Sequence, residues 1–349
     1  MNCRFDQLPL TEVFLDLGFS PPSNSFLLKE QLNEPETYYP LKLYVSERTF
    51  LVQVDEVKRA SEIFSSDYVY FSSYSSSWLA HSKAYVDMMI QRFGYGTDSQ
   101  VVEIASNDGY LLQYFQSHDI PVLGIEPTAG TAAVAREKGI TTWVEFFGVA
   151  LARRMKAEGK QADLLVGNNV LAHVPDLNDF VGGLKIALKP AGVITMEFPH
   201  LMQLVDHHQF DTVYHEHFSY LSLMAVKTIF EHHGLVLFDV EEWPTHGGSL
   251  RIFARHGENE DQAILPSVEA LLQKEKSRGM NTLAYYRGFQ QKANEVKNQF
   301  LRFLLDAKQA GKKIAGYGAA AKGNTLLNYC GIKTDLIDFV VDANPHKQN

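Results

Sequence analysis

Five apolar runs in the middle of the chain limit what it can become: "SQVVEIAS", "IPVLGIEP", "ADLLVGNN", "AGVITMEFP" and "LVLFDVEEW". Each is short, rich in Val, Ile and Leu, and stopped by polar, Gly or Pro residues. An apolar run without polar alternation must be covered on both faces, as central strands of a parallel sheet are. The stretches between the runs carry helical periods. Residues 66 to 250 are therefore expected to form an α/β domain with a largely parallel sheet.

The rest of the chain reads differently. At 349 residues it exceeds one ordinary core and suggests two or three domains. Residues 1–65 hold short alternating segments such as "YYPLKLYVSERTFLVQV", the pattern of a small β-rich module. Residues 251–349 begin with a polar helical stretch over about 263–310. They end in "KKIAGYGAAAKGNTLLNYCGIKTDLIDFVVDAN", which reads as strand, Gly-rich turn, helix and strand. A single βαβ unit leaves an apolar sheet edge open, so this last domain is expected to be incomplete. A net charge of −9 and a pI near 5.8 argue against a general nucleic-acid surface. No run of about 18 apolar residues suggests a membrane span. The N-terminus lacks the basic-then-apolar order of a signal peptide. Cys3 and Cys330 are too few for a disulfide framework, and a reducing cytoplasm is the expected compartment.

Two turns look able to hold nucleotide-like ligands. The first is "VVEIASNDGYLL", where a strand runs through a turn with small residues at Ala105 and Gly109 into a helix expected near Tyr110. Glu126 in "GIEP" ends the next strand, where an acidic side chain can take two ribose hydroxyls. Asn168 and Asn169 end a third. With acidic Glu103, Asp108 and Glu126 at this edge, a pyrophosphate is disfavoured and a cation is favoured. S-adenosylmethionine, with its sulfonium, ammonium and ribose, fits that charge. The candidate cofactor residues are Glu103, Ala105, Asn107, Asp108, Gly109, Glu126, Pro127, Asn168 and Asn169. The second turn, Gly316-x-Gly318-x-x-Ala321, is neighboured by Lys312, Lys313 and Lys322 and suits a diphosphate. Read alone it suits NAD equally well. Beside a methyl-donor pocket it is read as holding the diphosphate of a nucleotide-linked substrate.

The ordered set "VEIASNDGYLL", "NNVLAHVPDL", "EFPH", "FDTVYHEHFSYLS", "HGGSLR" and "GYGAAAKGNTLLNYCGI" resembles the sugar-nucleotide C-methyltransferases. These enzymes add the methyl branch to deoxysugars of the mycarose and tetronitrose type. The resemblance runs from about residue 5 to the end. It implies a zinc-binding N-terminal module, a central class I (Rossmann-like) S-adenosylmethionine domain and a partial second Rossmann-like domain for the nucleotide sugar. A dTDP-linked keto sugar is the expected substrate. The family's paired zinc cysteines correspond here to Cys3, Asp6, Ser46 and Thr49, a poor zinc set. No metal is expected there. The family also continues past the last residue of this chain.

Methylating carbon needs an enolate next to a ketone. An imidazole of ordinary pKa near 6.5 faces a deficit of roughly ten pKa units, about 14 kcal/mol, so donors to the enolate oxygen must carry much of the barrier. By the resemblance, His217 is the base, Tyr214 an enolate donor or proton relay, and Glu216 an orienting or substrate-contacting carboxylate. Tyr70 and His173 match two more residues that line the family's site. Substrate contacts are expected from His246, Gly247, Gly316, Tyr317, Gly318, Lys322 and Asn324. A competing reading puts "HEH" on a strand, where His215 and His217 would face one side and could bind a metal. "HEH" lacks the helical spacing of a zinc motif and has no third ligand nearby. Other readings are an O- or N-methyltransferase, an NAD-dependent oxidoreductase, and a binding module without turnover.

Overall fold

The computed structural model describes residues 1–57, 71–343 and 347. Tyr70 lies outside them. All five apolar runs are strands of one sheet. Its members are β4 (Val101–Ile104), β5 (Val122–Ile125), β6 (Thr142–Trp143), β7 (Ala162–Asn168), β8 (Leu188–Pro199), β10 (Leu235–Trp243) and β11 (Ser249–His256), in the order β10-β11-β8-β7-β4-β5-β6. Strand β11 pairs antiparallel with both β8 and β10, so the other six share one direction. Helices such as Ser76–Phe93 and Leu177–Ala187 cover the faces, and strands β4 and β7 are buried along nearly their whole length. The carboxyl ends of β4, β5 and β7 open onto one edge. Strand β11 runs through residue 250, so the boundary expected there falls inside the sheet.

A second, four-stranded sheet holds β1 (Glu12–Ser20), β2 (Tyr39–Val45) and β3 (Val52–Val54). In "PLKLYV" the alternation puts Leu41, Leu43 and Val45 inside. Its fourth strand, β9 (Ser219–Tyr220), comes from the middle of the chain and pairs with Val52 and Gln53. The core beneath it is shared: Phe14, Leu15 and Leu43 pack in one cluster with Leu201, Phe210, Phe218 and Phe289. Cys3 is fully buried; the Gln53 side chain donates to its Sγ at 3.3 Å and accepts from the Arg4 amide at 2.7 Å. Ser46 Oγ accepts from the amides of Arg48 and Thr49. Hydrogen bonds thus shape the hairpin where the family carries thiolates.

The polar stretch forms three helices, Pro266–Ser277, Leu283–Arg287 and Phe289–Gln309. Strands β12 (Ala315–Tyr317) and β13 (Phe339–Val341) then pair in parallel across the helix Ala321–Cys330. Among the described residues no helix is long and apolar enough to cross a membrane.

Segment 200–222 ties these parts together. The Leu201 amide donates to the Leu221 carbonyl at 2.9 Å and the His200 amide to the Gly248 carbonyl at 2.9 Å. Glu275, fully buried, accepts from His200 Nε2 at 2.8 Å and from the amides of Leu223 and Met224 at 2.6 and 2.9 Å. Removing that carboxylate strands three donors, two of them buried. Glu275→Ala is expected to cost at least about 3 kcal/mol of stability in urea denaturation. A cost below about 1 kcal/mol would show that the segment is not held this way.

Candidate active site

The edge where β4, β5 and β7 end forms one wall of a cavity of about 750 Å³. The turn after β4 takes left-handed backbone at two non-glycine residues, Ala105 (φ 56°) and Asn107 (φ 50°). Such conformations persist where the surroundings enforce them. At Asn107 the enforcing group is Glu126, whose carboxylate accepts from the amides of Asn107 and Thr128, each at 2.9 Å. Burial pushes its carboxyl above the ordinary range, although those amides work to lower it. Asn168 and Asn169 line the same wall, and each leaves a buried side-chain oxygen with no hydrogen-bond partner. Asn169 is held by its amide on the Glu197 carbonyl at 2.7 Å and by its side chain on His246 Nε2 at 3.0 Å. Glu197 also accepts from Arg251 at 2.8 Å and from the Thr245 hydroxyl at 2.9 Å, just before His246. Burial opposes its charge, yet His81 and Arg251 hold its carboxyl below the usual value. The wall therefore presents acceptors: a carboxylate and two unsatisfied amide oxygens. A ligand with hydroxyls, an ammonium and a positive charge satisfies them, whereas a pyrophosphate does not.

Across the same cavity lie Tyr214, Glu216, His217 and His173. His217 Nδ1 lies 3.0 Å from the Thr212 carbonyl, which can only accept, so Nδ1 carries the proton. Nε2 is then an acceptor and takes the Tyr214 hydroxyl at 2.8 Å. Burial, with the neighbouring His173 ring, keeps the His217 pKa well below 6.5. His173, its ring centroid 4.7 Å from that of His217, donates from Nδ1 to the Glu216 carbonyl at 2.9 Å and is pushed down by burial to about 4. Both imidazoles are neutral at physiological pH. The Glu216 carboxyl is pushed up by burial to about 7, an effect partly offset by a hydrogen bond from Asn24.

Other expected residues are placed differently. Glu103 is fully buried in β4 behind the wall. Burial raises its carboxyl well above the ordinary range, with Asp108 and Glu126 adding to the effect and the Tyr110 hydroxyl easing it. Asp108 turns away to Ser73 and to Lys138 at 3.5 Å. At Gly109 (φ 76°) a side chain would meet Ile140 at 2.4 Å, so its smallness serves packing rather than ligand approach. The helix expected near Tyr110 begins at Leu112 and spans only five residues. Pro127 lines the cavity. The "HEH" segment is a turn, not a strand. His215 therefore leaves His217 and donates from Nε2 to the Pro40 carbonyl at 3.1 Å.

At the substrate side, Lys322 and His246 line the cavity, whereas Gly247 backs onto Gln209. Gly316, Tyr317 and Gly318 lie off the cavity, with Tyr317 84% exposed; the turn presents Ala320 and Ala321 instead. Asn324 faces the N-terminal loop, donating to the Pro21 carbonyl at 3.2 Å. Sequence reasoning missed Asn24, Trp78, Phe146, Phe147, Thr212 and Lys347 among the lining residues. Only the aromatic pair Phe146–Phe147, in the loop that follows β6, gave a signal, as apolar bulk past a sheet edge. Asn24 and Thr212 act through contacts that no local pattern marks.

Three family models match the chain: "Putative zinc binding domain" over residues 3–64, "Methyltransferase domain" over 78–240 and "C-methyltransferase C-terminal domain" over 244–349. The C-methyltransferase NovU from Streptomyces niveus is 33% identical over 334 residues, 96% of this chain and 79% of NovU. Two solved structures overlay on about half of the chain. Magnesium protoporphyrin IX methyltransferase (ChlM) from Synechocystis PCC 6803 with bound SAH is 14% identical, over 50% of this chain and 82% of that one, with a TM-score of 0.41. An S-adenosylmethionine dependent methyltransferase from Mesorhizobium loti is 15% identical, over 51% and 100%, also with a TM-score of 0.41. The strand order and the methyltransferase-domain match make the central sheet a class I methyltransferase sheet, with added N- and C-terminal modules. The first module's name presumes zinc, but its residues do not fit the ion. Cys3 supplies one thiol, and the Ser46 hydroxyl already caps its own turn.

Glu216 yields a prediction that needs no ligand. An ordinary carboxyl near 4.5 ionises in the unfolded chain, while the folded one stays protonated up to about 7. The unfolded state is therefore favoured progressively as pH rises between those values. Glu216→Gln removes this loss. Its stability relative to the wild type is expected to climb by about 3 kcal/mol from pH 4 to 8, read from urea titrations. A gap that is flat or closes with pH would contradict the assigned protonation.

Proposed function

This chain belongs to the C-methyltransferase family, and from that premise we propose that it methylates a carbon beside the ketone of a sugar linked to a nucleoside diphosphate. S-adenosylmethionine is the cofactor and supplies, when bound, an electrophilic methyl group. Glu126, Asn168 and Asn169 are the residues that hold it. One observation carries the reading: a single cavity joins an acceptor-lined wall, a neutral imidazole–phenol pair and two lysines, Lys322 and Lys347. The wall suits a cationic donor, and the lysines suit an anionic carrier such as a diphosphate.

The residues divide the chemistry as follows. The Thr212 carbonyl fixes the His217 proton on Nδ1, leaving Nε2 basic toward the cavity. Tyr214 now gives its hydroxyl to that nitrogen. When a ketone arrives, Tyr214 turns its hydrogen bond to the oxygen on which enolate charge develops, and Nε2 takes the proton from the adjacent carbon. The Nδ1–H bond to Thr212 steadies the resulting imidazolium. With the His217 pKa below the ordinary value, the deficit exceeds the ten units of a free imidazole. Stabilisation of the oxygen by Tyr214, and by the Lys322 charge in the same cavity, must offset it. Glu216 is the carboxylate that works beside the reacting sugar, orienting or contacting it, and His173 packs against the His217 ring. The NAD reading rests on the second turn, whose Gly316, Tyr317 and Gly318 lie off the cavity that holds the imidazole–phenol pair.

The decisive test is methyl transfer to a panel of dTDP-linked 4-keto sugars, with the product methyl located by NMR. A methyl on carbon is expected; a methyl on oxygen or nitrogen would replace this mechanism with simple heteroatom methylation. His217→Asn is expected to lower turnover by about 10³-fold or more. Affinity for S-adenosylhomocysteine should stay within a few-fold. A large loss of that affinity would contradict the role given to His217.

A further inference from the structure

The loop that follows β1, far from the catalytic segment in sequence, reaches the reaction centre. Asn24 lines the cavity and donates from Nδ2 to Glu216 Oε1 at 2.6 Å. No other donor among the described residues reaches that carboxylate. The loop is braced from behind: Asn324 donates to the Pro21 carbonyl at 3.2 Å and to Ser23 Oγ at 3.4 Å. One residue along the same helix, Thr325 donates to the Val213 carbonyl at 2.7 Å, so the helix grips both the loop and the catalytic segment. A buried carboxylate gripped at one oxygen has a fixed second oxygen.

We propose that Asn24 is a positioning residue for Glu216, anchoring Oε1 so that the other oxygen faces the bound sugar, and that the N-terminal module thereby contributes to the active site. This rests on the reading that Glu216 works beside the reacting sugar. The module's sheet already takes its fourth strand from the catalytic segment, and Asn24 is the reciprocal contact, sent from the module into the cavity.

The arrangement has a pH consequence. An amide donor on a carboxylate favours the ionised form, so its removal raises the midpoint further, and a carboxylate in its place raises it more. His215, next to Glu216 in the chain, turns to the Pro40 carbonyl; the charged and titratable groups that share the cavity with Glu216 are Tyr214 and His217 on its own loop, His173, His246, Tyr110, Lys322, Lys347, and the carboxyls of Glu56, Glu126, Glu145, Asp176 and Asp179. His173 and His217 are held below their ordinary values, whereas burial pushes the Glu216 carboxyl up to about 7.

The test is a pH titration of the full chain followed by carbon-13 NMR of the glutamate carboxyls, with Glu216→Gln identifying the signal. Expected is a midpoint raised by roughly half a unit or more in Asn24→Ala and further in Asn24→Asp. The acid limb of kcat/KM should move with it while S-adenosylhomocysteine affinity holds. Asn324→Ala, which loosens the brace but keeps Asn24, should shift the midpoint less and in the same direction. An unchanged midpoint in Asn24→Ala and Asn24→Asp, at wild-type melting temperature, overturns the proposal. Should either variant fail to fold, an unchanged midpoint in Asn324→Ala overturns it instead. A wild type that methylates no keto sugar would count against the functional reading, and the ligand-free titration would still decide this one.

Discussion

The pairing of Ser219 and Tyr220 with Val52 and Gln53 is the constraint on which the site depends. Two residues of ladder contribute little binding by themselves, but they decide where the chain goes next. Strand β8 delivers segment 200–222 from the carboxyl edge of the large sheet, and β9 docks its far end on the small one. Between the two anchors the backbone must turn, and the turn is Tyr214–His217. Had this stretch continued as a strand, His215 and His217 would share a face. The turn separates them instead, one to the Pro40 carbonyl and the other to Thr212 and Tyr214.

From that placement the electrostatics follow. Burial strips water from two imidazoles and a carboxyl together, keeping the imidazoles neutral and the carboxyl near the midpoint of its titration. A neutral imidazole with a fixed tautomer is a ready proton acceptor but a weak one. The site therefore depends on what faces it: a phenol within hydrogen-bond reach and a lysine in the same cavity. The acceptor-lined wall opposite, braced by the buried Glu197–Arg251 pair, gives the cavity a second and opposite preference in charge.

Much of this was legible in the sequence, for identifiable reasons. The five apolar runs became strands because burial on both faces admits little else, and Glu126, Asn168 and Asn169 sit at the cavity because residues ending parallel strands have one edge to occupy. Proximity in the turn after β4 was less informative. Asp108 and Gly109 lie beside Asn107 in sequence, yet one answers Lys138 and the other makes room for Ile140. The Gly-rich turn showed the same limit, since its glycines shape the backbone while the following residues face the ligand space. Asn24 and Thr212 were invisible because their roles come from long-range docking and from a single carbonyl. Neither leaves a pattern in residue type.

The central claim is that the His217 imidazole removes a hydrogen from carbon. It is tested most directly in deuterated water, with a dTDP-linked 4-keto sugar and S-adenosylhomocysteine in place of the methyl donor, by following the carbon-bound hydrogen by NMR. The account predicts that the hydrogen beside the ketone washes out with the intact protein, and that washout falls to the uncatalysed rate in His217→Asn. Washout at an undiminished rate without the imidazole would contradict it.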